Sequence, residues 1–252
     1  MKAKKLIDLN CDMGESFGSW TMGNDAAIMP YVSSVNIACG FHAGDPIIMM
    51  NTIDLAIPHG VNIGAHPGYP DLAGFGRRHL FMSPKEVYAA VLYQIGALSA
   101  IARARGAELH HVKPHGALYN LAAKDRVYAE AIADAIYAFD SSLILYGLSG
   151  SELTRAGKEK GLSVFHEVFA DRTYQADASL TPRTEPNAIL KTPEEAVDQI
   201  IRILQTGEVI TRSGDAIPIE ADSICIHGDH EGAAEFAKQI YQQLTDFDIS
   251  IR

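Results

Sequence analysis

HHVKPHGALYN, residues 110–120, gathers three of the chain's ten histidines and a lysine around one proline and one glycine. Lys113 precedes Pro114, and the proline ring clashes with a helical residue before it, so Lys113 is held extended. The stretch therefore reads as the end of a strand, with Gly116 releasing the chain into a helix. Lys113 and His115 stand two apart, which puts both side chains on one face of extended backbone. An ammonium and an imidazole projecting together make a cation and proton-transfer pair. His110 and His111, earlier in the run, read as ordinary strand or rim residues.

The same design recurs along the chain. Short β-branched and apolar runs at 4–10, 34–39, 61–66, 108–114, 142–148, 163–170 and 222–228 each lead into a polar loop. Helical patterns follow at 46–59, 83–105, 116–139, after Thr192-Pro193 and at about 230–245, and the terminal ISI reads as a short strand. Ser83-Pro84-Lys85-Glu86 is a helix start, with a serine cap and proline in the first turn. Strand followed by helix, repeated, is the pattern of a parallel α/β sheet. No GxGxxG follows a strand and GxxxxGK[ST] is absent, so neither a Rossmann nor a P-loop sheet has direct support. An open sheet and a closed barrel remain, organised as a single domain over 1–252.

Parallel α/β folds gather their chemistry where strands end. The first run ends in Asn10 and Asp12, the second leads to His42 and Asp45, and the third ends in His66. The fourth ends in Lys113 and His115, the sixth in Glu167, Asp171 and Arg172, and the seventh in His227 and Asp229. Any one of these could be a helix cap. Six of seven strand ends carrying a titratable group is better explained by a barrel mouth that brings them to one pocket.

Each motif has a plain alternative. Asp8, Asn10 and Asp12 share a strand face, and buried carboxylates are costly without partners. Asp45-Pro46 is a good helix N-terminus, whereas His42 sits between Gly40 and Gly44, where packing does not call for an imidazole. In GAHPGYPDLAGFGRRHL, the glycines could let backbone N–H groups approach an anion, with Arg77 and Arg78 beside them. Asp171 and Arg172 open a long polar loop of the kind that serves as a lid. His227 and Asp229 could orient each other as acid and base. Asp12, His42, His66 and His115 are suitable zinc donors, but no HxxxH or HExxH occurs, so a metal stays open.

Composition removes other classes. A net charge of −10 with no basic run argues against nucleic acid or an anionic membrane as partner. No signal peptide is read at the N-terminus, and no run is read as approaching the ~20 apolar residues of a membrane span. Three cysteines without CxxC spacing fit a reducing cytoplasm and small buried residues.

Taken in order, DLNCDMGESFG, NIACGFHAGDP, GAHPGYPDLAGFGRR, HVKPHGALYN, EVFADRTY and HGD resemble the LamB/YcsF family of 5-oxoprolinase subunits. The resemblance implies a seven-stranded β/α barrel similar to that of polysaccharide deacetylases. It further implies an enzyme that works with partner subunits B and C to open 5-oxoproline to L-glutamate at the expense of ATP. Within that reading, Asp12, His66, Lys113, His115 and Asp229 are expected to be catalytic. Asn10, His42, Arg77 and Asn120 are expected to contact substrate, together with Asp171, Arg172 and His227. ATP is the expected co-substrate, and a divalent metal stays open. The competing readings are a stand-alone metal-dependent amide or carbohydrate deacetylase and a non-catalytic binding subunit.

Overall fold

The computed structural model describes residues 5–190, 192–228, 232–247 and 249–251. Its strands are β1 (Lys5–Met13), β2 (Ser34–Ala38), β3 (Asn62–His66), β4 (His111–Val112), β5 (Ile144–Leu148), β6 (Val164–Phe169), β7 (Glu208–Ile210), β8 (Ala216–Pro218), β9 (Ser223–Ile226) and β10 (Ile249–Ile251). The helices are α1 (Asp25–Ile28), α2 (Pro46–Ala56), α3 (Pro84–Ala104), α4 (Gly116–Ala122), α5 (Arg126–Phe139), α6 (Glu152–Lys160), α7 (Pro193–Thr206) and α8 (Ala233–Asp246). β1 to β6 pair in sequence, β6 pairs with β9, and β9 returns to β1, all in parallel. That closes a seven-stranded β/α barrel. β10 extends it by pairing with the first residues of β1, and β7–β8 form an antiparallel hairpin outside it.

Strand alternation places the two kinds of side chain. On β1, Ile7, Leu9, Cys11 and Met13 are buried against the helical layer, while Asp8, Asn10 and Asp12 face inward. Each large aliphatic side chain buried in that outer layer contributes roughly 1.5–3 kcal/mol relative to exposure. The lumen is packed differently. Parallel barrels ordinarily fill it with Val, Ile and Leu, whereas here hydrogen-bonded polar groups occupy its axis. At the floor, Asp8 accepts from Ser33 (2.7 Å) and Ser34 (2.5 Å) and also from Ser223. One layer higher, Asn10 donates to Glu167 (3.0 Å) and Ser223 (2.7 Å) and accepts from Asn36 (2.7 Å).

Several expected boundaries change. The helix read over 116–139 is two, because Asp125 caps a fresh helix by accepting from Val127 N–H. The segment read as helix over 46–59 finishes as a 3-10 turn at Ile57–His59, ended by Gly60 with φ 66°. β4 has only two residues, since Pro114 lacks the N–H needed to continue the ladder. The β7–β8 hairpin has no counterpart among the expected elements. α3, at 21 residues, is long and apolar enough to cross a membrane by length and composition, contrary to the expectation that no segment comes close. Its stripe of Val87, Val91, Ile95, Leu98 and Ala102 is buried, and the helix packs on α5, α2 and β3.

Candidate active site

Lys113 Nζ is the hub. It lies 2.8 Å from Glu167 Oε1, 3.0 Å from Asp12 Oδ1, 3.2 Å from Asn10 Oδ1 and 3.1 Å from Cys225 Sγ. Burial alone would lower the lysine pKa, but Asp12, Cys225 and Glu167 together hold it well above its ordinary value. Burial likewise acts to raise Asp12, and the His66 and Lys113 charges outweigh it and keep the carboxyl well below the usual range. The result is a fixed charge pair, ionised throughout the neutral range. Glu167 is completed by the Tyr119 hydroxyl at 2.6 Å.

Above this hub opens a cavity of about 700 Å³. Asp12, His66, Lys113 and His115 line it, with Arg77, Asn120, Arg172 and His227 around its walls. The loop after β6 supplies a further wall from Ser179 to Thr184, including Arg183. Asn10 lies beneath the cavity and does not line it; its amide is fully used in holding Glu167, Asn36, Ser223 and Lys113. His42 lies behind His115, the two rings stacked 3.7 Å apart. Asn120 donates back to the Gly116 carbonyl (3.0 Å). Asp229 falls outside the described residues.

Among the described residues, His227 pairs with Asp171. Its Nδ1 lies 2.9 Å from both carboxylate oxygens of Asp171, so Nδ1–H donates to the carboxylate and Nε2 is left to face other groups. Burial would raise Asp171, yet the His227 contact and charge hold it below its ordinary value. Arg172 serves the wall rather than the cavity centre. Its guanidinium donates to the carbonyls of Thr181 (2.5 Å) and Ala188 (3.2 Å), pinning the long loop. Burial and neighbouring Arg183 bring its pKa down to about 10, still charged near neutrality. Arg78 is tied to Asp71, leaving Arg77 on the cavity side.

The glycine-rich loop does not offer N–H groups to an anion. Gly68 N–H goes to Gln94 (2.9 Å), and those of Gly74 and Gly76 go to Asp71. The glycines instead permit close packing: a Cβ at Gly68 would sit 2.5 Å from His42 Nδ1, and one at Gly76 2.8 Å from His115 Cδ2. Three imidazoles meet there. His66 Nδ1 lies 2.7 Å from the Lys113 carbonyl, His115 Nε2 lies 2.8 Å from the Phe75 carbonyl, and His66 Nε2 faces His115 Nδ1 at 2.9 Å. Glu15 Oε1 is 3.7 Å from His115 and 3.9 Å from His42. Burial, with the neighbouring imidazoles, pushes His42 and His115 well below the ordinary histidine range. Asp12, Cys225 and His227 form a second group of potential metal donors.

Sequence reasoning placed Glu167 at a strand end without giving it a role, and passed over His111, Cys225, Asn36, Tyr119, Glu15 and Arg183 as site residues. For His111 a signal was present. It shares the parity of Lys113 and His115, points into the lumen, and bonds Asn36 Oδ1 at 2.8 Å.

The profile of the LamB/YcsF family matches residues 7–252. The A-subunit of 5-oxoprolinase from Geobacillus thermodenitrificans (strain NG80-2) is 58% identical over 248 residues, covering 98% of this chain and 96% of that one. The crystal structure of a lactam utilization protein from Thermus thermophilus superposes with a TM-score of 0.92 at 46% identity, covering 98% of both chains. A solved T48 deacetylase matches more loosely, with a TM-score of 0.48 at 13% identity over 99% of this chain and 87% of that one.

Proposed function

The chain belongs to the LamB/YcsF family, and from that membership we propose that it is the barrel subunit of an ATP-dependent 5-oxoprolinase. With partner subunits B and C, it opens the lactam of 5-oxoproline to L-glutamate. The observation that carries the reading is Lys113, a permanently charged group fixed between Asp12 and Glu167 at the floor of a cavity walled by Arg77 and Arg183.

A five-membered lactam is a poor electrophile because its nitrogen lone pair is delocalised into the carbonyl. Transfer of the γ-phosphoryl group of ATP to the lactam oxygen releases ADP and makes the ring carbon electrophilic. Water adds to that carbon, the carbon–nitrogen bond breaks, and the nitrogen takes a proton. A second water hydrolyses the resulting acyl phosphate to glutamate and phosphate.

The residues divide this work by their geometry. The field of Lys113 favours the oxygen that gains negative charge, and because its donors are already held in place no reorganisation is needed. His227, oriented by Asp171, moves the proton through Nε2. Arg77 and Arg183 meet the substrate carboxylate or the phosphoryl group. Asp12, held ionised, orients water and supports Lys113 rather than taking a proton itself. The three free, buried cysteines suit a cytoplasmic enzyme.

Reconstitution tests the proposal. The chain with subunits B and C should form glutamate and ADP from 5-oxoproline and ATP. Failure of the complete mixture to turn over would overturn it. Deacetylation of an acetylated sugar by the chain alone would replace it with the stand-alone reading.

A further inference from the structure

β5 runs out into Leu148-Ser149-Gly150-Ser151, without the charge that marks the other strand ends. Beside that uncharged end lies a second cavity of about 700 Å³. Ala123, Lys124, Leu148 and Ser179 line both this cavity and the one above Lys113, so the two meet there. Pro218 and Ile219, where the β7–β8 hairpin ends, wall the outer side. The hairpin that stands outside the barrel thus completes a chamber next to the active site.

The two chambers sort charge in opposite ways. Arg77, Lys113 and Arg183 line the inner one, and its acids Asp12 and Glu15 lie against Lys113 and the imidazoles. Glu152, Asp177 and Glu220 line the outer one, where Arg155 is already tied to Glu152 and to the Gly150 carbonyl. Lys124 stands exposed at the junction. A second observation marks the same junction. Ser179 is 8% exposed, and its hydroxyl has no hydrogen-bond partner among the described residues. A buried hydroxyl left unpaired calls for a partner, and this one belongs to a residue that touches both chambers.

We propose that the joined chambers bind one nucleoside triphosphate, its polyphosphate in the inner chamber and its nucleoside in the outer. The proposal rests on the lactam-opening reading and assigns the nucleotide to this chain rather than to a partner subunit. Charge sets the direction of entry, because phosphates are attracted to the arginines and lysine and repelled by the outer carboxylates. Lys124 and the Ser179 hydroxyl meet the phosphates that cross the junction. Asp177, whose Oδ1 accepts from Ser179 N–H (2.9 Å), receives hydroxyl hydrogens of the ribose. The base lies against Leu148, Pro218 and Ile219, the apolar part of the lining. The terminal phosphoryl group then comes to the lactam oxygen from the β5 side of Lys113.

Photolabelling and kinetics on the chain assembled with subunits B and C test this. 8-Azido-ATP should attach to residues 148–152 or 216–220 of this chain, and excess ATP should suppress the label. Label confined to a partner subunit, or to another face of this chain, overturns the proposal. Inorganic triphosphate, which lacks a nucleoside, serves as the second probe. Lys124→Ala should raise KM for ATP and the inhibition constant of inorganic triphosphate alike, roughly tenfold or more. Asp177→Ala should raise KM for ATP about threefold to tenfold and leave inhibition by inorganic triphosphate unchanged. KM for 5-oxoproline should stay constant in both, and Lys85→Ala, a charge removed from the exposed start of α3, should change none of these values. Circular dichroism verifies each fold. Wild-type KM for ATP in both Lys124→Ala and Asp177→Ala would also overturn the proposal. Turnover without label in the outer chamber sinks this site and spares the lactam reading, whereas suppressible label there without turnover does the reverse.

Discussion

Lys113 Nζ and Glu167 Oε1 lie 2.8 Å apart inside the barrel, reached from β4 and β6 with β5 between them. Both side chains are almost wholly removed from solvent. Breaking such a pair from one side leaves a buried charge uncompensated, which costs about 3–5 kcal/mol. Lys113→Met should therefore lose stability on that scale in denaturant unfolding. Lys113→Met combined with Glu167→Gln should recover a good part of it. Both variants should lose lactam opening by several orders of magnitude in the reconstituted enzyme. A double variant as unstable as the single one would show that the pair does not set the energy of the lumen.

The Asp171–His227 pair predicts a kinetic signature. Asp171→Asn keeps a hydrogen-bond acceptor for Nδ1 but removes the charge that stabilises the imidazolium formed during proton transfer. Turnover should fall by about 10²–10⁴-fold, the usual worth of general acid–base catalysis, with KM for 5-oxoproline little changed. A rise in KM with turnover intact would make Asp171 a binding residue instead.

His111 gives the pH dependence its sign. Burial first, then the charges of His110 and Lys113, push its folded pKa well below 6.5. A histidine with a depressed folded pKa binds more protons when unfolded, so its contribution is fully present above the unfolded value of about 6.5. That contribution is lost as pH falls from there toward the folded pKa. The melting temperature should drop between about pH 7.5 and about pH 5.5, and the drop should be smaller in His111→Gln.

Two glycines should respond oppositely to alanine. At Gly64, a Cβ would stand 2.1 Å from His111 Nε2, so Gly64→Ala must push the ring off Asn36. Overpacking of that kind costs typically about 1–3 kcal/mol. Gly96, inside α3, has nothing within 4 Å of its added Cβ. Gly96→Ala should stabilise by roughly 0.5–1 kcal/mol through helix propensity. Denaturant midpoints for the two variants check both signs.

Strand parity made much of this molecule readable before any coordinates. The alternation of Asp8, Asn10 and Asp12, the Lys113–Pro114 break, and polar residues at successive strand ends together imply a barrel with one chemical mouth. The lumen below that mouth was not readable in the same way. Asn36 sits between Val35 and Ile37, and Cys225 between Ile224 and Ile226, so each looks like an isolated exception in an apolar strand. Their meaning depends on Glu167 and Lys113, which lie far away along the chain. The glycine-rich loop misled for a related reason. Positive φ and free N–H groups are what glycine offers locally, but here its missing Cβ matters because His42 and His115 arrive from elsewhere. The break between α4 and α5 could have been foreseen from Asp125, a capping residue overshadowed by the apolar periodicity on either side.

The last seam of the barrel joins β1 to β9, where Asp8 and Ser223 are 215 residues apart. Joining such distant segments carries a large loop-closure cost, and oriented polar partners repay it only when every member has arrived. Folding should thus begin in the aliphatic layer between strands and helices, with the circle of strands completed late. Amide exchange during refolding should protect α3 and α5 ahead of β9, leaving an unlocked, nearly native ring as the intermediate most exposed to association with other chains.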